Sequence, residues 1–146
     1  MATPPSLRER ALACLARREY SRAELARKLA PHAAHGDELD ALLDELARRG
    51  WLSDARFAEV LVHDRQTRFG SVRLAHELRR RGVPESLIQQ QLHLLRGTEL
   101  ERARRVWQQK FGCPPSDARE RARQMRFLKQ RGFPLAVIQR VLEEEA

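Results

Sequence analysis

An internal repeat limits what this chain can fold into more than any other feature of its 146 residues. Residues 74–92 align with residues 124–142 at a constant offset of 50 positions, and seven of the aligned residues are identical. Each copy contains an Arg-Gly pair whose glycine is followed two positions later by proline, at Arg81-Gly82 and Arg131-Gly132. A repeat of about 20 to 50 residues indicates small units that complete one another's cores.

A looser copy of the same pattern lies nearer the N-terminus. Tyr20-Ser21 stands there where the other copies have Phe69-Gly70 and Phe111-Gly112. Arrays of this kind are elongated, often curved, and bind partners along an extended face. We therefore predict three tandem three-helix repeats, at residues 1–50, 51–96 and 97–146.

Start and stop signals divide the chain into about nine short helices. Three starts have the S/T-x-x-E spacing of a capping box, in which a hydroxyl and a carboxylate accept backbone N–H groups. They lie at Ser6, Ser21 and Thr98. Three stops place a cation, a glycine and an apolar residue in that order, which is typical of a closed helix end. Their glycines are Gly50, Gly82 and Gly132.

The periodicity between these signals predicts the fold class. Apolar residues recur every three or four positions, which is the spacing of one helix face. Aromatic residues make up only 5% of the chain, and no β-rich run is present. We therefore predict an all-α fold of three tandem three-helix repeats that form an elongated, curved array.

The charge of the chain favours an anionic partner. Lys and Arg number 28 against 20 Asp and Glu, which gives a net charge of +8. The net charge rises from +1 over residues 1–50 to +2 over 51–100 and +5 over 101–146. Only three of the cations are lysine; arginine suits bidentate recognition of phosphate or carboxylate, although a GC-rich genome would produce the same bias.

No sequence motif indicates an enzyme or a cofactor. Gly-rich phosphate loops and H-E-x-x-H are missing from the sequence. His32 and His35 share one loop, but we interpret them as loop residues and predict no metal. Cys14 and Cys113 have neither metal-knuckle nor redox spacing, so we interpret both as reduced structural residues. Without an apolar run of about 20 residues or a signal-peptide block, the chain is predicted to be cytoplasmic.

The two tryptophans are predicted to have structural roles. Either ring could stack on a nucleobase, as in proteins that bind single strands. Trp51, however, follows the helix-ending Gly50, and Trp107 lies on an apolar stripe. We therefore assign them to capping or core positions.

Basic side chains are the remaining candidates for a functional surface. Arg79-Arg80-Arg81 ends the second helix of the middle repeat, and further cations crowd the second helix of the last. There Arg119, Arg123 and Arg126 share one face at helical spacing, beside an apolar stripe of Ala118, Ala122 and Met125. A solvated face is the simpler interpretation of any single arginine. Clustering at matching repeat positions favours binding of a phosphate backbone or an acidic protein groove.

Residues 51–82 carry a more specific signal. The stretch begins Trp-Leu-Ser-Asp-Ala-Arg-Phe-Ala-Glu and continues through Arg65, Gly70, Arg73, Glu77-Leu78 and Arg81-Gly82. It resembles the most characteristic stretch of the RecX family, bacterial regulators of the RecA recombinase. Tyr20–Leu25 and Arg126–Phe133 also resemble that family.

The resemblance implies a function that periodicity alone does not supply. It implies a crescent of three three-helix repeats that binds in the helical groove of the RecA–DNA filament. It further implies inhibition of strand exchange, coprotease and ATPase activities, with no catalytic residues in the chain. The polar ends of the array predict a monomer.

We predict ten residues as the surface that contacts the RecA filament or its DNA. They are Arg56, Arg65, Arg68, Arg73, Arg79, Arg80, Arg81, Arg123, Arg126 and Lys129. Arg56 is the weakest member, because Ser53-Asp54 can cap its helix and hold it in a local ion pair.

A helix-turn-helix protein that acts directly on duplex DNA is the alternative. Ser21–Leu29, Asp37–Arg49 and Gly50-Trp51-Leu52 resemble the helices of a winged domain. Ser53–Glu59, however, reads as a capped helix where a wing would need two strands. Sequence-selective duplex binding without filament affinity would favour this alternative.

Overall fold

The structure is a computed structural model that describes residues 3–145. Over this range the chain forms nine α-helices and one 3₁₀ turn, Ala30–His32, and it contains no strand. The helices are α1 Leu7–Arg17, α2 Arg22–Leu29, α3 Gly36–Arg48, α4 Asp54–Arg65, α5 Ser71–Arg80, α6 Glu85–Arg96, α7 Glu99–Lys110, α8 Ala118–Gln130 and α9 Leu135–Glu144. The prediction of an all-α fold is confirmed.

Two of the three predicted capping signals form as helix caps. The Ser6 hydroxyl accepts the Glu9 N–H at 3.0 Å. Ser21 and Glu24 form a complete capping box, in which each side chain accepts the other's backbone N–H at 3.1 Å. The box predicted at Thr98 is wrong, because its hydroxyl contacts the Leu95 carbonyl and the Arg102 guanidinium instead.

The predicted helix stops are confirmed by backbone geometry. Gly50, Gly82 and Gly132 have φ of +76°, +81° and +92°. At the end of α5 the Val83 N–H donates to the Leu78 carbonyl at 3.0 Å, which closes the last turn after the left-handed glycine.

Three separate cores follow the three groups of helices. The first core includes Leu25, Leu43 and Leu46, and the second is built around Leu74, Leu78 and Ile88. Trp107, Leu128, Ile138 and Leu142 belong to the third. Leu52 lies in the predicted second unit but packs in the first core. The boundaries at 1–50, 51–96 and 97–146 stay a prediction.

The second helices of the three groups meet end to end. At the first junction, between the start of α2 and the end of α5, the Ser21 hydroxyl donates to the Arg81 carbonyl at 2.6 Å. At the second junction, between the start of α5 and the end of α8, the Gly70 N–H donates to the Arg131 carbonyl at 2.8 Å. Each junction places the positive end of one helix dipole against the negative end of the next.

A buried ion pair that the sequence analysis missed strengthens the second junction. Glu99 and Arg102 are only 4% and 8% exposed, and they bind each other. Glu99 also accepts the Ser71 N–H at 2.9 Å, while Arg102 donates to the Gln66 and Phe69 carbonyls. These hydrogen bonds hold α7 against the start of α5. Removing either residue of the pair would leave the other as an unpaired buried charge, which is strongly destabilising.

The face that α8 buries differs from the one predicted. Ala118 and Ala122 are exposed, and the helix instead buries Gln124 and Leu128. The Gln124 amide oxygen accepts the Trp107 indole N–H at 2.8 Å, which satisfies both polar groups inside the third core. Trp107 is a core residue, as predicted.

Between residues 3 and 145, no helix is both long enough and apolar enough to cross a membrane.

Candidate binding surface

The ten predicted contact residues fall into groups that differ in how their charge is compensated. Three of them turn inward and hold elements together: Arg56, Arg65 and Arg81. The Arg56 guanidinium lies 2.6 Å from the Glu19 carboxylate and donates to the Gly50 carbonyl. Ser53 caps the helix as expected, but Asp54 is not the ion-pair partner of Arg56, because its carboxylate accepts the Arg22 N–H at 2.8 Å.

Arg65 and Arg81 share the carboxylate of Glu77. Arg81 also binds Glu24 across the first junction at 2.8 Å. Burial, followed by the positive charge of Arg81, lowers the pKa of Arg65. These two arginines therefore hold α2, α4 and α5 together, and their donors are directed at carboxylates within the protein.

Arg79 and Arg123 are exposed but paired with a neighbouring carboxylate. Two Arg79 nitrogens bind Glu85 at 2.9 and 2.6 Å. The hydrogen bonds from Arg79 and Gln89 lower the pKa of Glu85 to about 2, so this carboxylate is charged at neutral pH. Arg123 binds Glu120 at 2.9 Å. A polyanion would have to compete with these carboxylates.

Four of the ten side chains are exposed and make no ion pair or hydrogen bond with any described residue. They are Arg68, Arg80, Arg126 and Lys129. Arg73 is also exposed and has no carboxylate partner among residues 3–145, but its guanidinium donates to the Gln130 carbonyl at 3.4 Å. The uncompensated charge of the predicted set is therefore concentrated in these residues.

The structure places Arg80 and Arg81 in a cleft between α2 and α5, here called the first cleft. Its walls hold five cations and one carboxylate: Arg18, Arg27, Lys28, Arg80, Arg81 and Glu24, around Tyr20. The Arg18 guanidinium carbon lies 3.6 Å from the Tyr20 ring centroid. Arg27 and Lys28 are exposed, and like Arg80 they contact no carboxylate in residues 3–145.

A second group of cations surrounds Phe69 at the second junction. The guanidinium carbons of Arg73, Arg68 and Arg131 lie 3.9, 5.3 and 5.8 Å from the Phe69 ring centroid. Such distances allow cation–π attraction. Within the described range, none of the three forms an ion pair with a carboxylate.

Another cleft, in the third group of helices, brings Arg123 and Arg126 together with Lys110 beside the rings of Phe111 and Phe127. The two rings meet edge to face with centroids 5.4 Å apart. The Arg123 guanidinium carbon lies 5.2 Å from the Phe111 ring centroid, a distance that allows cation–π attraction. Phe69 packs against the second core and Phe111 against the third.

Several cations of these sites lie outside the predicted set of ten contact residues: Arg18, Arg27, Lys28, Lys110 and Arg131. The repeat offered a signal for Arg131, which aligns with Arg81. No signal of this kind marked Arg27 or Lys28, because they meet Arg80 only through the stacking of α2 on α5.

The other residues considered for a site lie apart from these clefts. Among residues 3–145, no group of three His, Cys, Asp or Glu side chains is arranged to hold a metal. Cys14 is partly buried and Cys113 is exposed, and both are free. Trp51 closes α3 through its backbone N–H, but the residue is 42% exposed, and its ring lies near the guanidinium groups of Arg8 and Arg49.

The family model for the second three-helix domain of RecX matches residues 53–92, and the model for the third matches residues 98–142. Regulatory protein RecX of Leptothrix cholodnii is 55% identical over 94% of this chain and 87% of the relative. The chain belongs to the RecX family.

Other relatives and structures agree with this assignment. Regulatory protein RecX of Ralstonia nicotianae is 49% identical over 96% of this chain and 88% of its own. The crystal structure of RecX from Lactobacillus salivarius shares the fold, with a TM-score of 0.83 over 94% of this chain and 93% of that one, at 18% identity. The Leptothrix and Ralstonia relatives are both named regulatory proteins. The predicted fold of tandem three-helix repeats is confirmed.

Proposed function

We propose that this RecX-family protein regulates the RecA recombinase by binding in the helical groove of the RecA–DNA filament. Bound there, it would inhibit strand exchange, ATP hydrolysis and coprotease activity. Membership of the RecX family is the observation that carries the proposal, through the function that the family resemblance implies. A tandem array suits this role, because repeated units can bridge neighbouring protomers of a filament.

The distribution of charge supports the same function. Four exposed cations of the predicted surface lack an internal partner, so their charge is available to a polyanionic assembly: Arg68, Arg80, Arg126 and Lys129. Electrostatic attraction of this kind speeds association and makes it sensitive to salt. We assign direct contact first to these four and next to Arg73, Arg79 and Arg123.

Arg56, Arg65 and Arg81 have a different role within this proposal. Their guanidinium groups bind Glu19, Glu77 and Glu24 inside the protein. They would keep the first and second repeats in the orientation that the filament groove requires. The protein would act as a monomer in the cytoplasm.

ATP hydrolysis by RecA on single-stranded DNA, titrated with this protein, tests the proposal. We expect inhibition by the native protein and weaker inhibition by an R80Q/R126Q variant, which loses two unpaired surface charges. An R48Q/R96Q variant is the matched control, because both arginines are exposed and neither has a carboxylate partner in residues 3–145. No inhibition by native protein in stoichiometric excess would overturn the proposal.

The alternative of a winged DNA-binding domain is less well supported. Ser53 caps α4 where a wing would require two strands, and residues 3–145 contain no strand. A gel shift against random and selected duplexes, run beside a pull-down on RecA filaments, separates the two functions. Sequence-selective duplex binding without filament binding would favour the alternative.

A further inference from the structure

The first cleft concentrates positive charge that the protein does not neutralise. Five cations line it, and Glu24 is its one carboxylate among the described residues. Glu24 is already engaged by Arg18 at 3.4 Å and by Arg81 at 2.8 Å. Like charges held close together raise the free energy of the folded protein unless an anion enters between them. Arg27, Lys28 and Arg80 are therefore left to bind an external anion.

The second junction repeats this arrangement one helix away. An aromatic residue precedes the N-terminus of the second helix at both places, Tyr20 at the first and Phe69 at the second, and an arginine stacks on each ring. The 10 residues of α5 separate the two junctions, a helix length of about 15 Å. A ligand that contacts both must carry negative charges at regular intervals over at least that length.

Nucleic acid meets this requirement better than a folded acidic protein does. One strand of B-form DNA carries a phosphate about every 3.4 Å, so about four or five phosphates span the distance. Arginine donors match phosphate oxygens in bidentate geometry. Tyr20 is only 6% exposed and therefore cannot offer its ring to a nucleobase. The cleft consequently presents donors for the backbone and no surface for reading bases.

We propose that the first cleft binds the phosphodiester backbone of nucleic acid, independently of base sequence, through Arg27, Lys28 and Arg80. The Phe69 cluster provides the next contact along the same strand. This inference rests on the proposed function and deepens it by naming the ligand of one part of the surface. It adds Arg27 and Lys28, which lie outside the predicted contact set.

Fluorescence anisotropy with a labelled oligothymidine, in the absence of RecA, tests the inference on the full-length protein. The cleft variant is R27Q/K28Q, which removes two cations from the last turn of α2. R48Q/R96Q is the control, since it removes two cations from the last turns of α3 and α6 and changes the net charge equally. Circular dichroism and thermal melts establish that each variant folds.

We expect the cleft variant to bind single strands about tenfold more weakly at low salt, with little change in the control. The slope of log affinity against log salt should fall by about 1.4, because each phosphate contact to a single strand contributes about 0.7. An R68Q variant should lower the slope by about half as much. A duplex of the same length distinguishes the source of the phosphates, and its slope should fall by about 1.8.

Three results would overturn the inference. The native protein fails to bind either oligonucleotide, the cleft and control variants weaken equally, or the cleft variant loses binding to poly-glutamate but keeps binding to DNA. The last result would assign the cleft to an acidic protein. Since RecA is absent from this assay, inhibition of its ATPase by the native protein would still support the proposed function after such a failure.

Discussion

Single residues at the second junction show why a repeat in the sequence also fixes how the units meet. A Cβ atom on Gly70 would lie 2.4 Å from the Gly132 carbonyl oxygen. A Cβ atom on Gly132 would lie 2.7 Å from the Arg73 backbone nitrogen. Both positions therefore require glycine for close approach of two backbones. The sequence predicted Gly132 as a helix end, but the contact with α5 depends on residues about 60 positions away and could not be predicted from it.

We expect Gly132→Ala to lower the free energy of unfolding by about 3 kcal/mol. About 1–2 kcal/mol comes from a left-handed backbone at an L-residue, and the overlap with Arg73 adds about 1–3 kcal/mol. Urea denaturation followed by circular dichroism measures the change.

Two other glycines serve as controls for that substitution. Gly50 has φ of +76° but open space around its missing side chain, so Gly50→Ala should lower the free energy of unfolding by about 1–2 kcal/mol. Gly97 has φ of −65° and is also open, so alanine there should be neutral or stabilising by up to about 1 kcal/mol. If G132A and G50A are equally destabilised, close packing at the junction is not the cause.

At the scale of helices, sequence signals predicted the caps correctly where neighbouring residues bond the free backbone N–H groups. They failed where a side chain held by tertiary contacts binds the capping side chain instead. Ser21 and Glu24 form the capping box that their spacing predicts. Thr98 has the same spacing, yet the buried Arg102 takes its hydroxyl. Gln124 is polar but buried, because it accepts the Trp107 indole N–H. Burial of polar groups depends on partners that periodicity does not reveal.

The capping box of α2 should make stability depend on acid. Burial raises the pKa of Glu24, but hydrogen bonds from the Ser21 N–H, Arg18 and Arg81, with the charge of Arg18, outweigh it and lower the pKa below its ordinary value of 4.5. A carboxyl whose pKa is lowered by folding stabilises the protein above its unfolded pKa, and this contribution is lost as pH falls through the folded pKa.

We therefore expect Glu24→Gln to lower the free energy of unfolding at neutral pH. The difference in free energy of unfolding between native protein and this variant should shrink as pH falls below 4.5. Urea midpoints measured across this pH range give the comparison. Glu38→Gln is the control, because Glu38 also lies in the first turn of a helix but makes no ion pair within residues 3–145. A constant gap between native protein and E24Q at all pH values would show that its ionisation does not stabilise α2.

Over the whole molecule, contact between repeats is serial. Hydrogen bonds and ion pairs join the first repeat to the second and the second to the third, and within the described chain none joins the first to the third. The period of the sequence predicted tandem units but not the contacts between them. It did not predict that the two junctions differ in chemistry, since the first uses partly buried ion pairs and the second uses backbone hydrogen bonds and the fully buried Glu99–Arg102 pair.

This difference predicts that salt loosens the first junction selectively. Salt screens ion pairs that solvent partly reaches, as at the first junction, more than it screens a fully buried pair, and fully exposed pairs are worth only about 0.2–1 kcal/mol each. Raising sodium chloride from about 50 mM to about 500 mM should lower hydrogen-exchange protection of the Arg22 amide, which donates to Asp54, by about fivefold. Protection of the Val72 amide, which donates to the Gly132 carbonyl, should stay nearly constant.

Asp54→Asn separates screening at this junction from a general effect of salt. The substitution removes the charge that accepts the Arg22 N–H, so the Arg22 amide of D54N should exchange faster at low salt and respond less to added salt. The Val72 amide should behave as in the native protein. Equal salt sensitivity at both amides would mean that the junctions open together, and the first repeat would then be as firmly attached to the second as the second is to the third.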